Sequence, residues 1–335
     1  MIVPQFWAEA RVQQRSANST STAKSMSTST NTVRRFGWSD ANEAEAQAHA
    51  ESRAQEALQR LVAGEKLPRR EPKIGYNGAE GVPIREEIIE RHGDAVITRN
   101  AYGARCLNTP NVFFADVDFN ESTPAVLIVS LVAALILIAT ANAWIEQSWR
   151  ALLFGVVVAL VVCAPVARLL FRGQLALRGG VERVAIARIE RFVARNPHWN
   201  IRLYRTPAGL RVLATHALLK PDDAQTLACF AALRADPIYV RMCRNQKCFR
   251  ARVSAKPWRI GIARHMRPRP GVWPVAAERM ALRTDWISRY EQVAARYAAC
   301  RFITEMGSGT THPDAATVQA IHDELSRTSS ALPIA

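Results

Sequence analysis

Residues 111–171 read NVFFADVDFNESTPAVLIVSLVAALILIATANAWIEQSWRALLFGVVVALVVCAPVARLLF. A short acidic segment, Asn111–Phe119, runs almost directly into two apolar runs, Pro124–Asn142 and Ala151–Phe171. Each run approaches the ~20 residues a helix needs to cross a bilayer. No charge interrupts either until Arg168, and Pro165 is compatible with a spanning helix. The connection Ala143–Arg150 is short, so the runs predict a helical hairpin that returns the chain to the side it left. Trp144 and Trp149 in that connection suit a headgroup-level aromatic belt. A buried helical pair in a soluble core is the alternative, and the length and lack of charge argue against it.

Charge sets the expected orientation. Arg168, Arg172, Arg178, Arg183, Arg188, Arg191 and Arg195 follow the second run, whereas the connection holds only Arg150 against Glu146. The positive-inside rule then places both termini in the cytoplasm. Met1–Val12 lacks the form of a secretory signal, and the acidic stretch that follows the Ser/Thr-rich segment argues against a mitochondrial transit peptide. Net charge is +15. The part before Pro124 is nearly balanced, while 28 Lys/Arg face 12 Asp/Glu from Arg168 onward. Such an excess suits an anionic lipid surface or a nucleic-acid footprint. The six cysteines are scattered, and reduced thiols are expected on the cytoplasmic side.

The flanks alternate strand and helix patterns. The expected fold is an α+β cytoplasmic domain interrupted by a two-helix transmembrane hairpin. It divides into a largely disordered arm with a Ser/Thr linker (1–38), the first part of the domain (39–122), the hairpin (123–172) and a basic second part (173–335). Arg15–Thr32 reads as disordered linker, Ser39–Ala63 as a helix of doubtful burial and Pro68–Pro83 as turns. Ile84–His92 reads as a short helix, and Ala95–Thr98 and Asn111–Phe119 as strands. Val181–Arg195 is amphipathic at helical spacing. Asn200–Tyr204 and Leu210–Thr215 form a hairpin signal. Pro221–Arg234 reads as helix, Tyr239–Met242 and Phe249–Val253 as short strands, Trp273–Arg301 as mainly helix, and Pro313–Ser326 as a last helix.

Three constellations carry possible chemistry. Asp116 and Asp118 share one strand face, and two adjacent carboxylates suit Mg²⁺ or Mn²⁺ beside phosphates; ion pairing with arginine is the plain alternative. His216 ends a strand on which Arg211 lies, and is a candidate catalytic base or phosphate contact. Arg211, Arg241, Arg250, Arg252, Lys256 and Arg259 are candidate phosphate or anion contacts, with Trp258 as a stacking surface.

The segments NTPNVFFADVDF, YRTPAGLRVLATH and DPIYVRMCRNQKCFRARVSAKPWR resemble an uncharacterised family of bacterial two-span membrane proteins. That resemblance implies the bacterial inner membrane. The chain also loosely resembles the archaeo-eukaryotic primase–polymerase superfamily, which has a hydrophobic-Asp-hydrophobic-Asp strand, a His-bearing strand and a further acidic residue. This resemblance implies divalent-metal nucleotide chemistry at Asp116, Asp118 and His216, with Asp236 the doubtful third carboxylate. Two function classes follow. One is a membrane-anchored domain performing metal-dependent phosphate or nucleotide chemistry. The other is a non-catalytic membrane protein binding a lipid headgroup, nucleic acid or acidic protein through its basic half.

Overall fold

The computed structural model describes residues 3–17, 28–71, 82–119, 122–269, 271 and 273–335. The fold is mixed α+β. Strands β1 (Phe6–Ala17) and β2 (Thr28–Ser39) form an antiparallel hairpin, with Trp7 opposite Trp38. Helix α1 (Glu43–Val62) lies on it. Asn42 caps the helix by accepting from the Glu45 amide at 2.8 Å. Ala46, Ala50, Ala54 and Ala57 recur at steps of four, four and three and are all buried. Their small size lets the helix touch the strand backbone: a Cβ on Gly37 would stand 2.1 Å from the Ala50 nitrogen. The expectation of a disordered arm is therefore corrected over Arg15–Ala17 and Thr28–Thr32, which extend these strands; residues 18–27 lie outside the described set. The doubtful burial of α1 is corrected as well, since four alanines and Leu58 make its buried face.

Two four-stranded antiparallel sheets form the main body. One holds β3 (Glu87–His92), β4 (Ala95–Arg99), β5 (Arg105–Thr109) and β9 (Phe249–Arg252), in that order. The other runs β10 (Arg301–Gly307), β7 (Asn200–Arg205), β8 (Gly209–Ala214), β6 (Phe114–Asp118). Tyr239 joins the sheets. Its hydroxyl donates to the Phe114 carbonyl at 3.0 Å and accepts from the Arg250 amide at 3.3 Å. Phe113, Trp199, Phe230 and Phe249 fill the shared core, with ring centroids 5.0–5.9 Å from Phe113.

Between β6 and β7 the chain makes α2 (Ala125–Glu146), α3 (Trp149–Leu177) and α4 (Gly180–Arg195). The helical pair is thus inserted within one sheet, because β6 and β8 pair directly, Phe114 with Leu213 through Asp118 with Gly209. Helices α2 and α3 have a mean hydropathy of 2.5 over their most apolar windows, yet only 6% and 17% of those windows is buried. They touch each other through small residues: Ala139 and Ala143 on one, Ala159, Cys163 and Ala167 on the other. The Cys163 thiol donates to the Ile128 carbonyl at 3.3 Å, and Gly155 faces Ala139. This stagger puts Arg168 about level with the first turn of α2. Val126, Leu137, Trp144, Trp149, Phe154, Leu160 and Leu169 point outward, each more than half exposed.

The base of the pair is held to the sheet. Arg205 on β7 bonds Glu182 on α4 at 3.1 Å and stacks on Phe119 at 4.4 Å. The Phe119 amide donates to the Ala208 carbonyl at 3.0 Å.

The remaining elements are α5 (Ala224–Leu233), α6 (Pro237–Gln246), α7 (Met280–Ala294) and α8 (Pro313–Ser326). Several local expectations change. Residues 87–92 form strand, because β4 needs a partner on that edge and β3 supplies it. Tyr239–Met242 belong to α6: Asp236 caps it by accepting from the Ile238 amide at 2.9 Å, and Pro237 occupies the first turn. The helix expected over Trp273–Arg301 is confined to α7, and Arg301 opens the edge strand β10.

Candidate functional site

The aspartate pair divides into two unlike groups. Asp116 sits opposite Arg211 in the β6–β8 ladder. The Arg211 guanidinium donates to both its carboxylate oxygens, at 2.9 and 3.4 Å. Arg211 itself is buried, and its Nη1 donates to the Arg252 carbonyl at 2.8 Å and lies 3.4 Å from His322 Nε2. Burial opposes the Arg211 charge, but Asp116 more than offsets it and holds the guanidinium protonated. Asp116 is therefore part of a structural ion pair.

Asp118, two residues on, is exposed at the strand end. Partial burial raises its pKa, and Asp236 and Asp116 raise it further, against the pull of Lys256 and Arg259. Asp236 is brought there by main-chain pairing, since its amide donates to the Asp116 carbonyl at 2.9 Å.

On the facing side stand the cations. Lys256 immediately precedes a 3-10 turn, Pro257–Ile260, that carries Trp258 and Arg259. Burial depresses the Lys256 pKa to about 8, with Arg252 and Arg259 adding to the effect and Asp118 and Asp116 opposing it. Arg259 is lowered for the same first reason, with Arg252 again contributing. The Arg252 Nε and the Arg259 Nη1 are buried without a hydrogen-bond partner. Buried donors of charged groups are ordinarily satisfied; Arg85, Arg99, Arg105 and Arg283 also keep one such nitrogen, and what sets this pair apart is its place beside Lys256 and Trp258. Trp258 is 55% exposed; the Lys256 ammonium stands 5.4 Å from its ring centre and Tyr102 meets its edge at 5.2 Å. The Tyr102 hydroxyl interacts in turn with Arg252.

The structure thus brings together Asp118, Arg252, Lys256, Arg259 and Trp258 from the sequence expectation, with Asp116 and Arg211 locked beneath them. It separates others. Arg250 is paired with Glu86, which also accepts from Thr98 Oγ1 at 2.6 Å. Arg241 is exposed on α6 and lines a different groove of about 380 Å³ with Arg244, Phe230 and Val240. His216 lies beyond the opposite end of β8, seven ladder positions from the partner of Asp118. At about 3.4 Å per residue that is more than 20 Å. There it packs on Trp199 at 4.5 Å and near His198 at 6.0 Å, and burial lowers its pKa. His216 is corrected accordingly: it shares no site with the aspartates.

Three contributors were missed from sequence: Tyr102, His322 and Asp323. Tyr102 lies in a turn between β4 and β5, where nothing marks it. Asp236 enters from sequence only through the resemblance, as a third carboxylate; reading Tyr239–Met242 as a strand obscures its helix-start signature Asp-Pro. His322 and Asp323 sit in α8. The His322 ring is fully buried between Phe114, Tyr204 and Arg211, its Nδ1 3.0 Å from Asp323. Asp323 continues to Arg202 at 3.1 Å, and Arg202 to Glu305 at 2.6 Å. A polar chain therefore runs from Asp116 across the sheet to its far edge.

Compared with known proteins, the chain matches no family model, no curated protein and no solved structure.

Proposed function

We propose that this is a two-span membrane protein whose extramembrane domain binds an anionic ligand at Arg252, Lys256 and Arg259, beside Trp258. The membrane assignment is supported by two long apolar helices whose outward faces are uncovered; patches of that size in water would drive association. Arginines at the open end of the hairpin favour the cytoplasmic side for the domain and both termini, in a bacterial inner membrane. The observation that carries the binding reading is the pair of unpartnered buried donors, Arg252 Nε and Arg259 Nη1, next to a lysine whose pKa is lowered by burial and, further, by its cationic neighbours. An anion relieves all three at once.

Mg²⁺ or Mn²⁺ fits these residues less well. Asp116 is engaged by Arg211, which leaves Asp118 and Asp236 as donors with two cations beside them. The resemblance to primase–polymerases loses its histidine, because His216 lies beyond the end of β8 opposite Asp118.

The test is titration of dimethyl phosphate, a singly charged phosphodiester, into the full chain in neutral-lipid nanodiscs, at low and high salt. The expected result is binding that weakens with salt and is lost in Lys256→Met/Arg259→Met. Binding insensitive to salt and to both substitutions would overturn the reading.

A further inference from the structure

Resting on the anion-site reading, we infer that the ligand is a membrane phospholipid whose headgroup offers hydrogen-bond donors beyond its phosphate. Three independent observations point to it.

The first is height. Asp118 ends β6 and α2 begins at Ala125, so six residues separate the site from the apolar helix. Fully extended, they reach about 20 Å. The entering chain is also pinned to the sheet at Phe119, and the leaving chain at Glu182. Lys256 and Arg259 lie within electrostatic reach of Asp118. The cluster is thus held where headgroups lie.

The second is the exposed aromatic. Trp258 is an uncovered indole with an ammonium beside it, on the same turn as Arg259. Such a ring suits the interface, where its apolar body meets acyl carbon and its polar edge meets water.

The third is charge pattern. A site for a bare polyanion would exclude carboxylates, yet Asp118 and Asp236 sit directly beside the cations. A phosphodiester with a hydroxyl or ammonium on its far side satisfies both halves: phosphate on Arg252, Lys256 and Arg259, and the donor on Asp118 and Asp236. A phosphomonoester leaves the carboxylates repelled, and a choline headgroup offers them no hydrogen-bond donor.

The experiment uses the full chain purified in mild detergent. It is incubated separately with phosphatidylglycerol, phosphatidylethanolamine, phosphatidic acid and phosphatidylcholine, and bound lipid is measured by native mass spectrometry. Glycerophosphoglycerol, the deacylated headgroup and itself a phosphodiester, serves as the soluble arm. Retention of the glycerol and ethanolamine lipids over the other two is expected. It should fall roughly tenfold or more in Lys256→Met and in Arg259→Met, the scale of one charge-assisted contact. Trp258→Ala, on an exposed ring, should reduce lipid retention more than glycerophosphoglycerol binding. Equal retention of all four lipids, or retention unchanged by these variants, overturns the inference. If glycerophosphoglycerol binds in a Lys256-dependent way while no lipid is selected, the anion site stands and the lipid assignment falls. If nothing binds, the anion site itself falls.

Discussion

Removing either partner of the Asp116–Arg211 pair should destabilise the domain, and unequally. The Arg211 side chain is 3% exposed and the Asp116 side chain 34% exposed. Asp116→Ala leaves a buried guanidinium without its carboxylate, with only neutral or ring partners remaining, the Arg252 carbonyl at 2.8 Å and the His322 Nε2 at 3.4 Å, on a ring whose pKa burial lowers. Orphaning one member of a buried pair typically costs about 3–5 kcal/mol. Arg211→Met instead leaves a carboxylate that water can reach, while the Met fills most of the vacated volume. Its cost should be nearer that of a hydrogen bond to a charged group, about 1.5–3 kcal/mol. At roughly 2–4 °C per kcal/mol for a domain of this size, Asp116→Ala should lower the melting temperature by roughly 6–20 °C. Arg211→Met should lower it by roughly half as much. The double variant should fall short of the summed loss, since both singles remove one interaction. Differential scanning fluorimetry in detergent reads all three. Wild-type or greater stability in Asp116→Ala would refute the reasoning, because it is the result expected of a free carboxylate crowded by its neighbours.

Three further outcomes follow from the geometry. Anion binding should weaken as pH rises from 7 to 9, because the Lys256 ammonium titrates near 8 and the neutral amine no longer attracts the ligand; Lys256→Arg should flatten that profile in a binding titration. Gly37→Ala forces a methyl group to 2.1 Å from the Ala50 nitrogen, so α1 must lift from its hairpin; limited proteolysis should then cut between α1 and β3 faster than in wild type. Gly155→Leu places a bulky group where a Cβ already meets the Ala139 Cβ at 2.6 Å. Close approach is the main source of helix association in lipid, so disulfide trapping between cysteines placed at 139 and 155 should serve as the reference and labels flanking these positions should move apart in the variant.

The hairpin was legible because apolar length is a one-dimensional property. So was the insertion: Asn111–Phe119 is too short to make a core and needs later strands, and β8 is the strand it finds. The β7–β8 hairpin was legible from its turn. The failures share a cause, which is that a partner distant in sequence decided the local state. Residues 87–92 carry Glu and Ile in a pattern that suits a helix, and only the free edge of β4 makes them a strand. The Ala face of α1 has low hydrophobicity and becomes core only because Gly37 lets the helix approach. The cation cluster was half legible. Lys256, Trp258 and Arg259 lie within one turn, but which arginines were already neutralised depended on Asp116 and Glu86, far away in the chain. His216 was misplaced because strand order can be guessed from sequence while ladder register cannot, and register carries it to the wrong end of β8.

The central claim is that the hairpin holds the cation cluster at the bilayer surface. A nitroxide attached to Trp258→Cys in the full chain, reconstituted in bilayer nanodiscs, reports this directly through its relative accessibility to oxygen and to a water-soluble nickel chelate. The six native cysteines are buried and do not compete for the label. The account predicts a depth at the headgroup level, with appreciable oxygen accessibility that falls away for a label at Asp314, which stands exposed beside the end of β8 opposite Asp118. A label at 258 that is as accessible to the chelate as the one at 314, with no oxygen enhancement, would contradict it.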